Sequence, residues 1–357
     1  MPRPILATID TRAMAHNLAR VRQLCPSARI HAVIKADAYG HGIAAAQRGF
    51  AEADGFALIE IERAIELRQL GWRGPILLLE GCFSALDWQA ASEHGFDVVV
   101  HTEEQIATLA ATPLSRRVDV HVKFNTGMNR LGFSPAKGRD VLTRLGAIAA
   151  VGKLTLMTHF ARADEPDEHL EQLRRFRALC NGLPHATSAA NSAACFDFER
   201  VGGDWVRPGI MLYGATPFSH ATRPAAALGL VPVMTLTSEI IAIQQLRPGD
   251  AVGYGGTYTA TRLERIGIIA AGYADGYPRH APTGTPVLVG GQRTRLVGRV
   301  SMDKIAVDVT DLPLAQVGTA VELWGANLPV DEVAEAAGTI GYELLTAVAP
   351  RVPRLVR

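Results

Sequence analysis

The sequence lacks most of the features that mark a metal protein, a membrane protein or a nucleic-acid-binding protein. Its four cysteines are scattered and form no C-x-x-C pair, so neither a zinc site nor a disulfide framework is predicted. The 36 lysines and arginines nearly balance the 35 acidic residues, and no basic block occurs, which argues against nucleic acid or membrane as a partner. No apolar run could span a bilayer, and residues 1–10 show no signal-peptide pattern, so we expect a cytoplasmic protein.

The first two-thirds of the chain repeats one unit, a short apolar run followed by an amphipathic stretch. The runs are continuous rather than alternating, which is typical of parallel strands buried on both faces. Eight of them predict an α/β fold, a (β/α)8 TIM-like barrel, whose chemistry lies at the carboxyl ends of the strands. The predicted strands are Ile30–Ile34, Phe56–Ile59, Ile76–Leu79, Asp97–Val100, Val118–Phe124, Leu154–Phe160, His185–Ala189 and Trp205–Tyr213. The predicted helices are one capped by Asp10 or Thr11 and those at Glu62–Leu70, Glu103–Ala110 and Glu168–Cys180.

After about Ala227 the pattern changes to short strands separated by turn signals, which predicts a mostly β second domain. Only Val330–Ala337 has a clear helical pattern there. A chain of 357 residues is long enough for two domains. We expect a barrel domain at 11–228 and a β domain at 229–357, the latter joined by a strand from 1–10. The predicted β strands are Val233–Gln245, Glu264–Ala270, Pro286–Val289, Thr294–Val300, Ile305–Val309 and Ala320–Trp324.

Lys35 directly follows the first apolar run and opens a loop rich in small residues. Burial lowers the pKa of a lysine, and a neutral amine is what Schiff-base chemistry with a carbonyl requires. Taken alone, Lys35 is explained more simply as a side chain that reaches the surface at a strand end.

Polar residues also follow four later predicted strands. Lys123 ends the fifth run, His159 lies in the sixth, Asn191 and Ser192 follow the seventh, and Arg207 lies in the eighth. Each has an ordinary structural explanation, such as a helix cap or an ion pair. Together with Arg130 they form a cationic mouth that favours an anionic ligand, and Ser192 with the amides of Gly209 and Ile210 would suit a phosphate.

Eight segments resemble, in the same order, the motifs of the alanine racemase family. They are AVIKADAYGHG, VKFNTGMNRLGF, THFA, AANSAA, VRPGIMLYG, VGYGGTY, GYADGYPR and GRVSMD. The resemblance extends from Ile9 to Arg354 and therefore covers nearly the whole chain. It favours a functional role for Lys35 over the surface alternative.

The resemblance implies pyridoxal 5′-phosphate (PLP) as the cofactor and L- and D-alanine as the substrates. Lys35 would bind the cofactor covalently and act as one catalytic base. Tyr254 would act as the second base in the partner subunit's site, so that a homodimer has shared active sites. The residues implied for the phosphate are Tyr39, Ser192, Gly209 and Ile210, and Asn191 is implied as a further cofactor-binding residue. Arg207, with support from His159, is implied for the pyridine nitrogen.

The resemblance also assigns the substrate carboxylate and the entrance. Arg130 would bind the carboxylate, helped by the backbone amide of Met302 from the partner. Lys123 matches a position that is often carbamylated in the family, where it orients that arginine. The residues that match the entrance are Asp164, Tyr273, Arg279 and Arg299; no metal is implied.

Racemisation explains why two bases are needed. A proton must leave one face of Cα and return on the other, so a lysine and a tyrosine on opposite faces would alternate as base and acid. A tyrosine with a pKa near 10 is a poor base at neutral pH, so positive neighbours should matter. Arg207 stays charged and is a poor proton donor to the pyridine nitrogen, which would suppress side reactions such as transamination.

Three positions depart from the family pattern. Asn125 stands where relatives often have an acidic residue, so the polar support of Lys123 can differ. Ser301 stands where some relatives have cysteine. Pro350 stands where some have a tyrosine near the phosphate, although Tyr342 lies close in sequence.

Four alternatives remain at the level of sequence. A PLP-dependent decarboxylase of the same architecture would share the lysine but not the VGYGGTY and GRVSMD segments. A broader-specificity PLP-dependent amino-acid racemase differs mainly in the substrates it accepts. A metal-dependent hydrolase built on a carbamylated Lys123 and His159 would need more His and Asp ligands than the strand ends supply. A PLP-binding protein without activity would not need Tyr254 and Arg130.

Overall fold

The computed structural model describes residues 3–357, and Met1 and Pro2 lie outside the described part. The helices are α1 (Thr11–Leu24), α2 (Lys35–Tyr39), α3 (Ile43–Gly49), α4 (Ile61–Gln69), α5 (Ala85–His94), α6 (Glu103–Ala111), α7 (Gly138–Ala147), α8 (Leu170–Cys180), α9 (Ser192–Cys195), α10 (Phe198–Val201), α11 (Val330–Ala336) and α12 (Gly341–Ala347). The strands are β1 (Leu6–Ile9), β2 (Arg29–Val33), β3 (Gly55–Leu58), β4 (Ile76–Leu78), β5 (Asp97–Val100), β6 (Val118–Lys123), β7 (Val151–Met157), β8 (Ala186–Ser188), β9 (Trp205–Val206), β10 (Met234–Leu246), β11 (Ala251–Val252), β12 (Tyr258–Thr259), β13 (Glu264–Ile269), β14 (Pro286–Val289), β15 (Gln292–Val297), β16 (Ile305–Asp308), β17 (Ala320–Trp324) and β18 (Arg354–Val356).

The contacts divide the chain into two compact units. The barrel unit comprises 17–38 and 46–212, and the β unit comprises the residues up to 16 together with 39–45 and 213–357. The predicted boundary at 228/229 stays a prediction. Within residues 3–357, no helix is both long and apolar enough to cross a membrane.

The barrel unit confirms the predicted α/β class. Strands β2 to β9 pair in parallel in chain order, and β9 pairs with β2 to close the barrel. Strands β3 and β4 are buried at every residue, which explains why their sequences are continuously apolar. The first helix begins where the sequence predicted, because Asp10 Oδ1 accepts hydrogen bonds from the amides of Arg12 (2.8 Å) and Ala13 (3.2 Å).

One predicted barrel strand is too long. The run Trp205–Tyr213 was expected to be a single strand, but β9 ends at Val206 and Ile210–Tyr213 forms a 3₁₀ turn. Pro208 has no amide hydrogen to donate to a neighbouring strand, so the ladder cannot continue through it. The correction matters because it places Arg207, Gly209 and Ile210 in the loop at a strand end.

The β unit contains an eight-stranded sheet in the order β13-β16-β15-β14-β17-β10-β1-β18, and β13 also pairs with β10. Strand β1 pairs antiparallel with β10 and parallel with β18, so the start and the end of the described chain lie in one sheet. The predicted helix at Val330–Ala337 is found as α11, but α12 was missed. Its sequence begins with glycine, a weak helix former, which hid the helix from pattern analysis.

Candidate active site

Lys35 lies just beyond the carboxyl end of β2, at the start of a left-handed turn. The next residues, Ala36, Asp37, Ala38 and Tyr39, have φ angles of 53°, 52°, 55° and 52°, and the amide of Ala38 donates to the carbonyl of Ile34 at 2.9 Å. A left-handed conformation costs roughly 1–2 kcal/mol for each residue other than glycine. Such strain persists only where the surrounding structure enforces it, and it is concentrated at functional sites.

Lys35 belongs to a cluster of cationic side chains that come from different strand ends of the barrel. Burial lowers the pKa of Lys35, and the positive charge of Arg130 lowers it further, while Glu80 and Glu60 act in the opposite direction. The amine is therefore more readily neutral than that of a lysine in water. The cationic cluster consists of Lys35, Lys123, Arg130 and Arg207, and the His159 imidazole lies among them.

Lys123 and His159 are affected by the same environment. Burial lowers the pKa of Lys123 to about 8, and Arg207, Arg130 and Lys35 contribute in the same direction. Burial and the same cations hold the pKa of His159 well below its ordinary value, so its imidazole is neutral at pH 7. The site therefore disfavours additional positive charge and favours an anion.

Arg207 is buried, and its guanidinium is bound by a hydroxyl and by backbone carbonyl oxygens. Its guanidinium donates to Ser188 Oγ (2.5 Å) and to the carbonyl oxygens of Thr158 (2.6 Å) and Ala189 (3.5 Å). Burial lowers the pKa of Arg207 to about 10, which still leaves it charged at neutral pH. Sequence analysis missed Ser188 and Thr158; hydroxyl residues at the ends of two adjacent predicted strands were the available signal.

Of the residues predicted to bind the cofactor, Asn191 and Ser192 follow β8, and Gly209 and Ile210 follow β9. Asn191 caps α9, since its Oδ1 accepts from the amide of Ala194 at 3.1 Å. Ser192 Oγ accepts from the amide of Gly209 at 2.8 Å, and Ile210 begins the adjacent 3₁₀ turn. This part of the barrel unit thus presents a hydroxyl and backbone amides in one place, which are the donors that bind phosphate.

Asn125 organises the loop that carries Arg130. Its Oδ1 accepts from the amides of Gly127 (3.1 Å) and Asn129 (3.0 Å), and its Nδ2 donates to Asn129 Oδ1 (3.1 Å). The amide side chain thereby closes the loop without adding a negative charge. A shallow pocket lies between this loop, Lys123 and His159.

Tyr39 lies in the β unit by its contacts. Its ring stacks on Tyr213 with a centroid distance of 4.6 Å, and the Tyr342 ring is 6.1 Å away. Burial raises the pKa of Tyr39, so its phenol is a neutral hydrogen-bond donor at any physiological pH. Tyr342 is thus a second tyrosine near Tyr39, in a chain that has proline at position 350.

The remaining predicted residues of the β unit lie on exposed loops. Tyr254 is 71% exposed, Met302 54% and Tyr273 39%. Gly255 lies against the Arg299 guanidinium, where an added Cβ would be 3.3 Å from Nη1. Arg279 is also exposed in the β unit, and Asp164 is exposed in the barrel unit. Lys123, Ser192 and Arg207 of the barrel unit thus form a buried set, and Tyr254, Tyr273, Arg279, Arg299 and Met302 of the β unit form an exposed set. Arg130 and Asp164 are exposed although they lie in the barrel unit, and Tyr39 is buried although it lies in the β unit.

Fold and site together define a class: a protein with a (β/α)8 barrel, a separate β unit, and a buried amine among cations at the strand ends. Comparison with known proteins identifies the family. The family model described as "Alanine racemase, N-terminal domain" matches residues 9–217, and "Alanine racemase, C-terminal domain" matches 233–356. The chain belongs to the alanine racemase family.

Individual relatives match the chain over almost its full length. It is 54% identical over 353 residues to "Alanine racemase, catabolic" of Salmonella typhimurium, covering 99% of each chain, and 52% identical to "Alanine racemase" of Janthinobacterium sp., covering 99% of this chain and 98% of that one. The crystal structure of the biosynthetic alanine racemase from Pseudomonas aeruginosa superposes with a TM-score of 0.96 at 48% identity, covering 99% of each chain. Relatives with catabolic and with biosynthetic names are thus similar to it at comparable levels.

Proposed function

We propose that this chain interconverts L- and D-alanine with PLP as its cofactor. The observation that carries the proposal is the cationic cluster at the strand ends, which includes an amine of lowered pKa in a chain of the alanine racemase family. Neither the broader-specificity racemase nor the decarboxylase has a specific observation in its favour.

The donor set fits PLP. Lys35 offers an amine that burial makes easier to deprotonate, as a bond to the cofactor's carbonyl carbon requires. Ser192 and the amides around Gly209 and Ile210 offer donors for the phosphate, with the neutral phenol of Tyr39 as a further one. Arg207 offers a charged donor for the ring nitrogen. When bound, the cofactor withdraws electrons from the substrate and makes the Cα proton acidic.

The chain's own residues would then bind alanine and move the proton. Arg130 would hold the substrate carboxylate through charge-assisted hydrogen bonds, and the Met302 amide of the partner subunit would donate to the same group. Lys35 Nζ would take or return the proton on one face of Cα, and the Tyr254 hydroxyl of the partner subunit would do so on the other. Each residue would end in the protonation state that the reverse reaction requires.

Arg207 would control how far negative charge moves onto the ring. Its guanidinium remains charged and is fixed by Ser188, Thr158 and Ala189, so it can donate a hydrogen bond at the ring nitrogen without giving up its proton. His159, kept neutral by burial and by neighbouring cations, adds no further positive charge. This arrangement favours return of the proton to Cα over competing reactions.

The test of this proposal is the pair of wild type and Lys35→Ala. Wild type should show an absorption band that borohydride removes, and it should racemise alanine faster than other L-amino acids. Lys35→Ala should lose the band and reduce alanine racemisation by at least about 10⁴-fold. A Lys35→Ala protein that keeps the covalent band, or a wild type that does not racemise alanine, would contradict the proposal.

A further inference from the structure

Asp275 forms the centre of an ion network that sequence analysis did not anticipate. It lies in the GYADGYPR segment and its side chain is 0% exposed. Its Oδ1 accepts from Arg3 Nη1 and, at 2.8 Å, from Arg351 Nε, while its Oδ2 accepts from the amide of Gly272 at 2.8 Å. Burial opposes ionisation of Asp275, but these hydrogen bonds outweigh burial and lower its pKa. The buried carboxylate is therefore ionised and compensated by two arginines.

The same two arginines also bind Asp303. Arg351 Nη2 donates to Asp303 Oδ1, and Arg3 Nη2 donates to the Asp303 carbonyl, each at 2.6 Å. Each guanidinium thus joins Asp275 to Asp303. The four residues Arg3, Asp275, Asp303 and Arg351 are called the two-arginine clamp below.

The clamp joins two loops that are already in direct contact. The amide of Tyr273 donates to the carbonyl of Ser301, and that of Ala274 to the carbonyl of Met302, each at 3.0 Å. An added Cβ at Gly272 would lie 2.3 Å from the Met302 oxygen, so only glycine permits this approach. Displacement of the turn around Asp275 is therefore transmitted to the backbone of Met302.

We propose that Arg351 and Arg3 are positioning residues for the racemase reaction. Through Asp275 and Asp303 they fix the backbone of Met302 and of Tyr273, whose loops are hydrogen-bonded to each other. This inference rests on the proposed function, which assigns Met302 to the substrate carboxylate in the partner's site. As a consequence, the clamp of one subunit affects the alanine KM of the active site in the other subunit.

A mixed dimer separates this role from ordinary stabilisation. One subunit carries Tyr254→Phe and keeps Lys35; the other carries Lys35→Ala and keeps Tyr254. The only complete site then combines Lys35 of the first subunit, the cofactor subunit, with Tyr254 and Met302 of the second, the loop subunit. Two different affinity tags allow the mixed dimer to be purified after subunit exchange, and the activity of each parent homodimer is subtracted.

Arg351→Gln is then placed in either subunit of the mixed dimer. In the loop subunit it should raise the alanine KM about 10-fold, because a misplaced Met302 amide weakens binding of the carboxylate. In the cofactor subunit it acts only on the incomplete site and should change KM by less than about 2-fold. Both dimers contain the same substitutions in total, so a loss of stability alone would affect them equally.

Two further variants in the loop subunit sharpen the result. Arg351→Lys should raise the alanine KM less than Arg351→Gln does. An ammonium keeps the positive charge, but it lacks the planar guanidinium that binds both aspartates at once. Arg295→Gln is the matched control, because Arg295 forms an ion pair with Asp308 in the same unit at 3.3 Å and takes no part in the clamp. It should leave KM unchanged.

Equal effects from the two placements of Arg351→Gln, or no effect in the loop subunit, would overturn the positioning role. If the mixed dimer without Arg351→Gln is inactive although exchange is verified, the shared site itself is wrong, and the role in the partner's site is wrong with it. The two failures are thus distinguished by the dimer that carries no clamp substitution.

Discussion

The barrel mouth and the exposed loops of the β unit serve one proposed reaction in opposite environments. Lys123 and Arg207 are 7% and 4% exposed, whereas Tyr254 and Met302 are 71% and 54% exposed. Buried groups have their charge states set by their own unit, as the lowered pKa values of Lys35, Lys123 and His159 show. A phenol that is mostly in water has no such surroundings. We therefore expect Tyr254, the proposed second base, to obtain its surroundings from another subunit.

The strongest test of this comparison is Tyr254→Phe, which removes a hydroxyl from the exposed set alone. We expect it to retain the cofactor band but to lose roughly 10²–10⁴-fold in kcat, because one face of Cα no longer has a proton donor or acceptor. Proton removal from L-alanine should be affected most, as measured by exchange of the Cα proton from each enantiomer.

Tyr258→Phe is the matched control, since its hydroxyl donates to Glu264 Oε2 at 2.7 Å within the β unit. It should racemise alanine at the wild-type rate. If Tyr254→Phe also does so, the two-base assignment is wrong, and the contrast between buried and exposed sets has no catalytic meaning.

Lys123 tests the buried set, with a smaller expected effect. Its pKa of about 8 lies below that of an ordinary lysine, so a larger fraction of amines is neutral near neutral pH and can attack carbon dioxide. The product is a carbamate, formed with release of one proton, that replaces a cation beside Arg130 by a hydrogen-bond acceptor. We therefore predict that Lys123 is carbamylated, which carbon-13 NMR after addition of labelled bicarbonate would detect.

Lys123→Ala should raise the alanine KM about 10-fold by loosening Arg130, and a small carboxylic acid should restore part of the loss. Lys137, an exposed lysine elsewhere in the barrel unit, provides the control substitution. A bare Lys123 amine in a high-resolution crystal structure grown with ample bicarbonate would contradict the carbamylation but not the two-base mechanism.

The smallest effect concerns the barrel interior, where the rings of His31 and His121 lie 5.7 Å apart. Burial, Arg207 and Arg29 lower the pKa of His121 to about 3. As pH falls below the ordinary value of 6.5, the unfolded chain binds a proton that the folded chain refuses, so stability falls. At pH 5 this single group costs about 2 kcal/mol relative to pH 7.

Replacing His121 by leucine should therefore reduce the loss of unfolding free energy between pH 7 and pH 5, measured by urea titration at each pH. His280→Leu, at an exposed position, is the comparison variant and should leave that loss unchanged. The same pH dependence in His121→Leu and wild type would show that the imidazole does not resist protonation.

The sequence predicted the barrel because its strands are buried on both faces, so each one appears as an uninterrupted apolar run. The same logic located Lys35 and Lys123, which directly follow such runs. Hydrogen-bonded partners far apart in the chain left no local pattern: Arg3 and Asp275 are 272 residues apart, and Arg207 and Thr158 are 49 apart. The end of β9 and the helix α12 were missed for reasons that involve single residues. Pro208 ends the strand within an apolar run, and α12 begins at Gly341, although glycine is a weak helix former.

The left-handed turn after Lys35 has a consequence for the chirality of the backbone itself. Its φ angles near +53° are unfavourable for L-residues and favourable for their mirror images. Ala36 is exposed, so a D-alanine introduced there by protein semisynthesis would relieve strain without disturbing the core. A chain proposed to make D-alanine would thus be stabilised by incorporating its proposed product beside Lys35.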